Sequence, residues 1–136
     1  MIYGVHISTA GDLVGTPARA AAMGARALQI FTGSPRTWRQ ASYTDEVAIS
    51  FKGELARLNM PAFTHMMYLT AYGTPDAELR AKSVAVAVHT LKTADQIGIS
   101  GVVTHMGSHK GNGTKSMLPV LKESLLEALS GSETML

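Results

Sequence analysis

Three histidines of this chain stand at or just after short apolar segments of the kind that form β-strands. His6, His65 and His105 each come near the end of such a segment. If the strands are parallel, their carboxyl ends meet at one edge and bring the three imidazoles to one mouth. Neutral imidazole is a good zinc ligand, and the absence of cysteine leaves His, Asp, Glu and water as metal ligands. The pattern predicts a metal site, although the carboxylates in these loops, Asp12 and Asp76, look like helix-start residues.

The segment 101–113 contains two histidines four residues apart, and glycines follow them closely. On a helix, His105 and His109 would share one face. Gly107 and Ser108 between them disfavour a helix and predict a turn just after a strand. We therefore expect His105 to be the inward residue carried by the strand and His109 to be its neighbour in the loop. The alternative for any one of these histidines is a hydrogen bond within its loop, without a metal.

A second group of residues could contact nucleic acid. The loop after the second predicted strand joins Arg36 and Arg39 to Trp38, the only tryptophan. Arginine pairs with phosphate, and planar side chains insert between bases or stack on them. The alternative is that Trp38 anchors the loop while the arginines are solvated. The loops after the next two strands add three candidates on the same face: Tyr68, Leu69 and Lys110.

The composition limits the broad class of protein. The chain has 136 residues, enough for one core of ordinary size, and we expect a single domain over 1–136. No apolar run is long enough for a membrane span, and the N-terminus lacks the layout of a signal peptide, so we expect a soluble, cytoplasmic protein. The net charge of +2 does not by itself indicate nucleic acid, but basic residues at one mouth could still attract a polyanion.

Four strand–loop–helix units must position these residues. Strands are predicted over 2–7, 27–32, 61–65 and from 101 to His105, and helices from 12–16 to 24, over 44–59, 74–98 and 114–130. Thr16 is the expected N-cap of the first helix, and Thr134 to Leu136 are expected to open a fifth strand. His89 lies within the third helix, where a packing or surface role is favoured. The last helix is expected to bury a leucine stripe: Leu118, Leu121, Leu125 and Leu129.

The repetition of these units predicts an α/β fold with a parallel sheet and right-handed crossovers. A doubly wound sheet and a (β/α)8 TIM barrel both fit the pattern. The glycine fingerprint of a dinucleotide-binding fold is missing after the first strand, and polar residues recur at the strand ends, where a barrel builds its site. We therefore expect the barrel type. A complete barrel needs about 250 residues, so this chain should supply about four βα units, or half a barrel.

Four motifs resemble those of one known family, the endonuclease IV enzymes. They are Gly4–Gly11, Phe31–Trp38, His65 with the following Tyr68 and Leu69, and His105–His109. The motifs occur in the order of the family and cover essentially the whole chain. Met106 stands where the family commonly has a proline, and Met66, Met67 and Ala71 alter the loop after the third strand.

The resemblance implies a (β/α)8 barrel with three zinc ions that cleaves DNA on the 5′ side of abasic sites in base-excision repair. It implies that His65 and His105 bind the same zinc ion. His6 and His109 would lie near the site without binding metal. It also implies a cytoplasmic, nucleoid-associated enzyme whose partner is DNA containing abasic sites.

The same resemblance assigns DNA contacts. Arg36 would enter the base stack at the lesion. Tyr68 and Leu69 would form a wedge on the minor-groove side of the duplex. Trp38 belongs to the same DNA-contacting motif as Arg36, and Arg39 follows that motif directly.

The remaining metal ligands of the family, beginning with a glutamate on the fifth strand, are expected beyond residue 136. The isolated chain should then be inactive and pair with a second copy or with a complementing C-terminal half. Two other functions stay open: a sugar isomerase or epimerase on the same barrel, and a catalytically silent, self-associating half barrel. The loop from Arg36 to Arg39 favours the nuclease, because a sugar enzyme gains nothing from a protruding cationic loop.

Overall fold

The structure is a computed structural model that describes residues 3–134 and residue 136. Strands and helices alternate along this part of the chain, four of each. The strands are β1 (Gly4–His6), β2 (Ala27–Ile30), β3 (Ala62–His65) and β4 (Gly101–Val103). The helices are α1 (Thr16–Ala22), α2 (Asp45–Leu58), α3 (Ala77–Ile97) and α4 (Thr114–Leu129).

The strands form one parallel sheet in the order β1-β2-β3-β4, so each strand pairs with the next one in the sequence. A doubly wound sheet reverses its strand order at a switch point, whereas a barrel keeps the sequential order. The described residues therefore form half of a (β/α)8 barrel. The predicted α/β class and barrel type are confirmed.

The two faces of the sheet have different surroundings, because side chains alternate along each strand. One face is covered by the helices and buries apolar side chains such as Leu28, Ile30 and Val102. The other face carries Phe63, which is half-buried, and Val103, which is 45% exposed. In a closed barrel this second face lines the interior.

Capping residues place the ends of α2 and α3 close to their predicted positions. Thr44 Oγ1 accepts the Val47 N–H at 3.4 Å, and Asp76 Oδ1 accepts the Leu79 N–H at 3.0 Å. Gly98, with a φ of +74°, ends α3 in the left-handed conformation that glycine adopts most easily. No helix within the described residues combines the length and the apolar content that crossing a membrane requires.

The start of α1 differs from the prediction. Thr16 is the first helical residue, and Gly15 occupies the N-cap position. The Thr16 hydroxyl does not cap the helix because it donates to the Asp12 carbonyl at 2.7 Å. The Gly15 N–H donates instead to Asp12 Oδ1 at 2.9 Å. Asp12 is thus the helix-start residue of this turn, in agreement with its expected role.

The leucine stripe predicted for α4 is only partly buried. Leu118 is 54% exposed, whereas the other three leucines of the stripe are partly buried against the core. The buried residues of α4 are small ones, Ser124 and Ala128. The Ser124 hydroxyl donates to the Tyr72 carbonyl at 3.1 Å. The buried face of α4 therefore includes a hydrogen bond to the backbone, and not only the predicted packing of leucine side chains.

The predicted fifth strand does not form at Thr134, while Met135 falls outside the described residues. Thr134 bonds to α3 instead. Its backbone N–H donates to Asp95 Oδ1 at 2.9 Å, and its hydroxyl donates to the same oxygen. This contact holds the segment after α4 against the end of α3.

Replacing Asp95 by asparagine is expected to remove a pH-dependent part of the stability. Burial raises the pKa of Asp95, but hydrogen bonds from the hydroxyls of Thr134 and Ser132, together with backbone N–H groups, lower its pKa overall. This carboxylate stabilises the fold above its unfolded-state pKa, and the stabilisation is lost as the pH falls through the folded-state pKa. Urea unfolding from neutral pH to about pH 3 should therefore show a smaller acid loss in Asp95→Asn than in the parent chain. Equal acid losses would contradict the prediction.

Candidate metal centre and nucleic-acid interface

Three histidine rings lie together at the carboxyl edge of the sheet. His6 and His65 end β1 and β3, and His105 follows β4 by two residues. The ring centroids of His65 and His105 are 5.1 Å apart, and those of His6 and His65 are 6.1 Å apart. The structure thus brings together the three histidines that the sequence placed at strand ends. His105 lies in a loop and not on the strand, because β4 pairs with β3 only as far as Val103, opposite His65.

A hydrogen bond determines which ring nitrogen of His65 is available to a metal. Its Nδ1 lies 2.6 Å from the carbonyl oxygen of Met66. Because a carbonyl oxygen only accepts, Nδ1 carries the hydrogen, and in the neutral ring Nε2 keeps its lone pair. A backbone carbonyl bonded to the second ring nitrogen is a common arrangement in metal-binding histidines.

The environment of His6 favours its neutral form. Burial lowers the pKa of His6 below its usual value, and the nearby His65 lowers it further. The Phe31 ring also contacts this imidazole, with 4.7 Å between the ring centroids. At neutral pH, His6 is therefore an uncharged neighbour of the histidine pair.

The loop that carries His105 rests on the loop after β3. Gly107 has a φ of +89°, and a Cβ atom at this position would lie 2.8 Å from the Ala71 Cα. The Gly73 N–H donates to the Met106 carbonyl at 3.2 Å. Only glycine permits this approach of the two backbones, so Gly107 determines how the loop presents His105.

His109 has a different environment from His105. Its Nδ1 accepts the N–H groups of Gly111 and Gly113, both at 3.1 Å. An accepting Nδ1 carries no hydrogen, so neutral His109 has its hydrogen on Nε2. The ring orders the glycine-rich turn before α4, and the neighbouring Lys110 is exposed.

The loop after β2 exposes two arginines and holds the tryptophan. Arg36 and Arg39 are exposed, whereas Trp38 is half-buried. The Nζ atom of Lys82 on α3 lies 4.3 Å from the centroid of the Trp38 ring, a cation–π contact. Trp38 thus has a partner within the fold, while both arginines stay exposed.

The loop after β3 adds an exposed apolar pair next to the histidines. Tyr68 is 55% exposed and Leu69 is 38% exposed. The centroid of the Tyr68 ring lies 5.5 Å from that of His65, and the Tyr68 N–H donates to the Pro35 carbonyl at 3.0 Å. These contacts connect the loop of Arg36 to the histidine edge. An open groove of about 540 Å³ runs beside them and is lined by His6, Ile7, Ser8, Thr9, Phe31, Gly33, Pro35 and Tyr68.

The described residues do not by themselves complete a metal site. No group of three or more His, Asp or Glu side chains within residues 3–134 is arranged to hold a metal ion. The two carboxylates of the strand-end loops are engaged elsewhere, Asp12 in a 3.1 Å salt bridge with Arg19 and Asp76 as the N-cap of α3. The imidazoles of His65 and His105 fit zinc chemistry and match half of the four-ligand shell that zinc prefers.

Tyr72 is a central residue that the sequence analysis missed. Its side chain is fully buried, and its hydroxyl accepts a hydrogen bond from Thr104 Oγ1 at 3.2 Å. It therefore joins the loop after β3 to the residue that precedes His105. The sequence could have indicated this role, because Tyr72 stands between Thr70 and Thr74. A buried phenol needs hydrogen-bond partners, and threonine hydroxyls can provide them.

Comparison with known proteins places this half barrel in a family. The sequence matches the family model described as xylose isomerase-like TIM barrel over residues 17–134, and the chain belongs to that family. The resemblance to endonuclease IV is also confirmed. A probable endonuclease 4 from Aquifex aeolicus is 35% identical over 129 residues, which cover 95% of this chain and 46% of that protein. Endonuclease IV from Thermus thermophilus superposes with a TM-score of 0.82 at 34% identity, covering 96% of this chain and 46% of that one.

The chain spans about half the length of the curated relatives it matches. D-psicose 3-epimerase from Clostridium cellulolyticum superposes with a TM-score of 0.68 at 16% identity, over 98% of this chain and 49% of that one. At this identity the similarity shows the fold alone, because one fold hosts many reactions. The sugar-enzyme alternative therefore gains no support beyond the fold.

Proposed function

We propose that this chain supplies the N-terminal half of a zinc-dependent endonuclease that cleaves DNA on the 5′ side of abasic sites in base-excision repair. The observation that carries the proposal is the pair His65 and His105, with ring centroids 5.1 Å apart, at the sheet edge whose loops expose Arg36. Metal ligands beside an exposed cationic loop suit the hydrolysis of a polyanion. The identity with proteins named endonuclease 4 supports the same function.

The proposal assigns one zinc ion to His65 and His105, with the other ligands of a three-zinc site on the second half of the barrel. His65 offers Nε2 because its Nδ1 bonds to the Met66 carbonyl. When bound, zinc supplies Lewis-acid stabilisation of charge on the phosphate. His6 and His109 stay outside the ligand set, and His109 Nδ1 already accepts two backbone N–H groups.

In the proposed complex, DNA lies against the loops that follow β2, β3 and β4. Arg36 enters the base stack at the lesion, and Trp38 contributes by holding the loop from which Arg36 projects. Positive side chains in these loops attract the phosphate backbone at long range. The exposed residues proposed to contact DNA are Arg36, Arg39, Tyr68, Leu69 and Lys110.

The proposal also requires a partner for the exposed face of the sheet. Val103 on that face is 45% exposed, and parallel sheets are normally covered on both faces. A complementing C-terminal half, or a second copy of the chain, would cover the face, and the isolated chain would be inactive. Sedimentation that shows a stable, compact monomer would exclude the second copy.

Replacing Arg36 by alanine is expected to weaken binding to a duplex with one abasic site by about 5- to 150-fold. A planar side chain that fills the gap left by a missing base gains stacking energy of about 1–3 kcal/mol. An intact duplex has no such gap, so its affinity should change little. Titration of labelled abasic and intact duplexes at one fixed salt concentration measures both affinities.

Arg26→Ala is the matched control for this experiment. Arg26 is also exposed, but it precedes β2 and lies at the opposite edge of the sheet. It should weaken both duplexes slightly and equally. If Arg36→Ala weakens both duplexes as Arg26→Ala does, the binding is only nonspecific electrostatic attraction and the proposed function is wrong.

A further inference from the structure

We propose that α3 holds the loop after β2 in a fixed position through three polar side chains, Lys82, His89 and Gln96, and so positions Arg36. The three residues are seven apart, which is about two helical turns, and they form one line along the helix. The consequence for DNA binding rests on the proposed function. The contacts by which α3 holds the loop do not depend on that function.

The first two side chains of the line contact the middle of the loop. The Lys82 ammonium lies 4.3 Å from the centre of the Trp38 ring. The His89 Nε2 lies 2.6 Å from the Ala41 carbonyl oxygen, and because that oxygen only accepts, Nε2 carries the hydrogen and donates. This contact gives His89 a specific partner 48 residues away in the sequence.

The third side chain contacts the end of the loop. The Gln96 amide donates to the Tyr43 carbonyl at 3.1 Å and to Asp45 Oδ1 at 3.3 Å. The Tyr43 hydroxyl in turn donates to the Thr32 carbonyl at 2.7 Å, which closes the loop onto its own beginning. Gln96 therefore bonds to the point where the loop passes into α2.

The spacing of Lys82 and His89 on the helix matches the spacing of their two partners in the loop. Seven helical residues rise about 10 Å, and three extended residues span about the same distance. Trp38 and Ala41, the partners of Lys82 and His89, are three residues apart. An extended segment from Trp38 to Ala41 would therefore reach both Lys82 and His89.

Arg36 lies between two residues, Pro35 and Trp38, that contact other parts of the fold. On one side, the Pro35 carbonyl accepts the Tyr68 N–H at 3.0 Å. On the other side, Trp38 packs under Lys82. A short segment fixed at both ends loses less conformational entropy when its exposed side chain binds, so the line on α3 favours insertion of Arg36.

The test uses the loop itself as a reporter, without DNA. Trp38 is the only tryptophan, and trypsin can cut after Arg36 and Arg39. His89→Leu removes the donor and should raise cleavage after these arginines about 2- to 10-fold, because proteolysis follows the open population of the loop. The fluorescence anisotropy of Trp38 should fall. Lys82→Met is a second variant, and because Lys82 is exposed the change should leave the fold intact. It should also raise cleavage after the arginines and lower the anisotropy of Trp38.

His89→Gln and Lys92→Met are the matched controls. His89→Gln keeps an N–H donor and should restore much of the protection. Lys92 is an exposed residue of α3 whose replacement should leave cleavage after the arginines and the Trp38 signal unchanged. Unchanged protection in both His89→Leu and Lys82→Met, or equal loss in Lys92→Met, would overturn the inference.

Binding to abasic DNA then tests the effect on Arg36 separately. If His89 acts through Arg36, His89→Leu weakens abasic binding in the parent chain and adds little in the Arg36→Ala background. Fully additive losses would overturn the positioning role. If the parent chain shows no preference for abasic DNA but the trypsin and Trp38 results are as expected, the proposed function fails while the holding of the loop by α3 stands.

Discussion

Replacing Tyr72 by alanine is expected to lower the free energy of unfolding by about 3–5 kcal/mol, because it removes a fully buried aromatic ring. The same change removes the acceptor of the Thr104 hydroxyl and loosens the loop that carries His105. Urea unfolding measures the stability, and zinc titration of the folded variant measures the effect on the site. A loss below about 1 kcal/mol would show that the ring is not part of the core.

Tyr72→Phe separates the ring from its hydroxyl. It keeps the packing and should cost only about 1 kcal/mol. Burial raises the pKa of the Tyr72 hydroxyl, against the opposing effect of the Thr104 and Thr70 hydroxyls. A phenol with a raised folded-state pKa stabilises the fold below its unfolded-state pKa, and that contribution is lost as the pH rises through the folded-state pKa. The alkaline loss of stability should therefore be smaller in Tyr72→Phe than in the parent chain.

Replacing His65 by alanine is expected to weaken zinc binding about 100-fold or more. Even the loss of an outer-shell partner of a metal ligand costs about 10–100-fold, and here one of two imidazoles is removed. His105→Ala should have an effect of similar size, because the two rings lie 5.1 Å apart. Competition with a zinc-responsive chelator measures the dissociation constants of both variants.

His109→Asn is the control for these two variants. Asparagine keeps an acceptor for the N–H groups that His109 Nδ1 receives from Gly111 and Gly113. Zinc affinity should therefore stay within a few-fold of the parent chain. A loss as large as that of His105→Ala would contradict the assignment of the ligand pair.

The regular elements were predictable because local chemistry fixes them. Thr44 and Asp76 cap their helices, Gly98 ends α3, and the apolar strand segments recur at the spacing of βα units. The sequential strand order follows from repeated right-handed crossovers between parallel strands. The convergence of His6, His65 and His105 was predictable as well, since parallel strands present their carboxyl ends at one edge.

The remaining features depend on contacts between segments that are distant in the sequence. The Trp38 ring contacts Lys82, which lies 44 residues later in the chain. The position of His105 depends on Gly107 approaching Ala71, and no local pattern reveals that approach. Leu118 is exposed because α4 buries its small residues instead of a full leucine stripe. Periodicity shows which residues could be buried, but the neighbouring element decides which of them are.

The most direct test of the proposed function counts the imidazole ligands of zinc in the zinc-loaded chain by X-ray absorption spectroscopy. The central claim is that His65 and His105, from two different strand ends, hold one metal ion. We predict two imidazole nitrogens per zinc ion in the parent chain and one in each of His65→Ala and His105→Ala. Two imidazoles retained in both variants, or a zinc shell without imidazole in the parent chain, would contradict the claim.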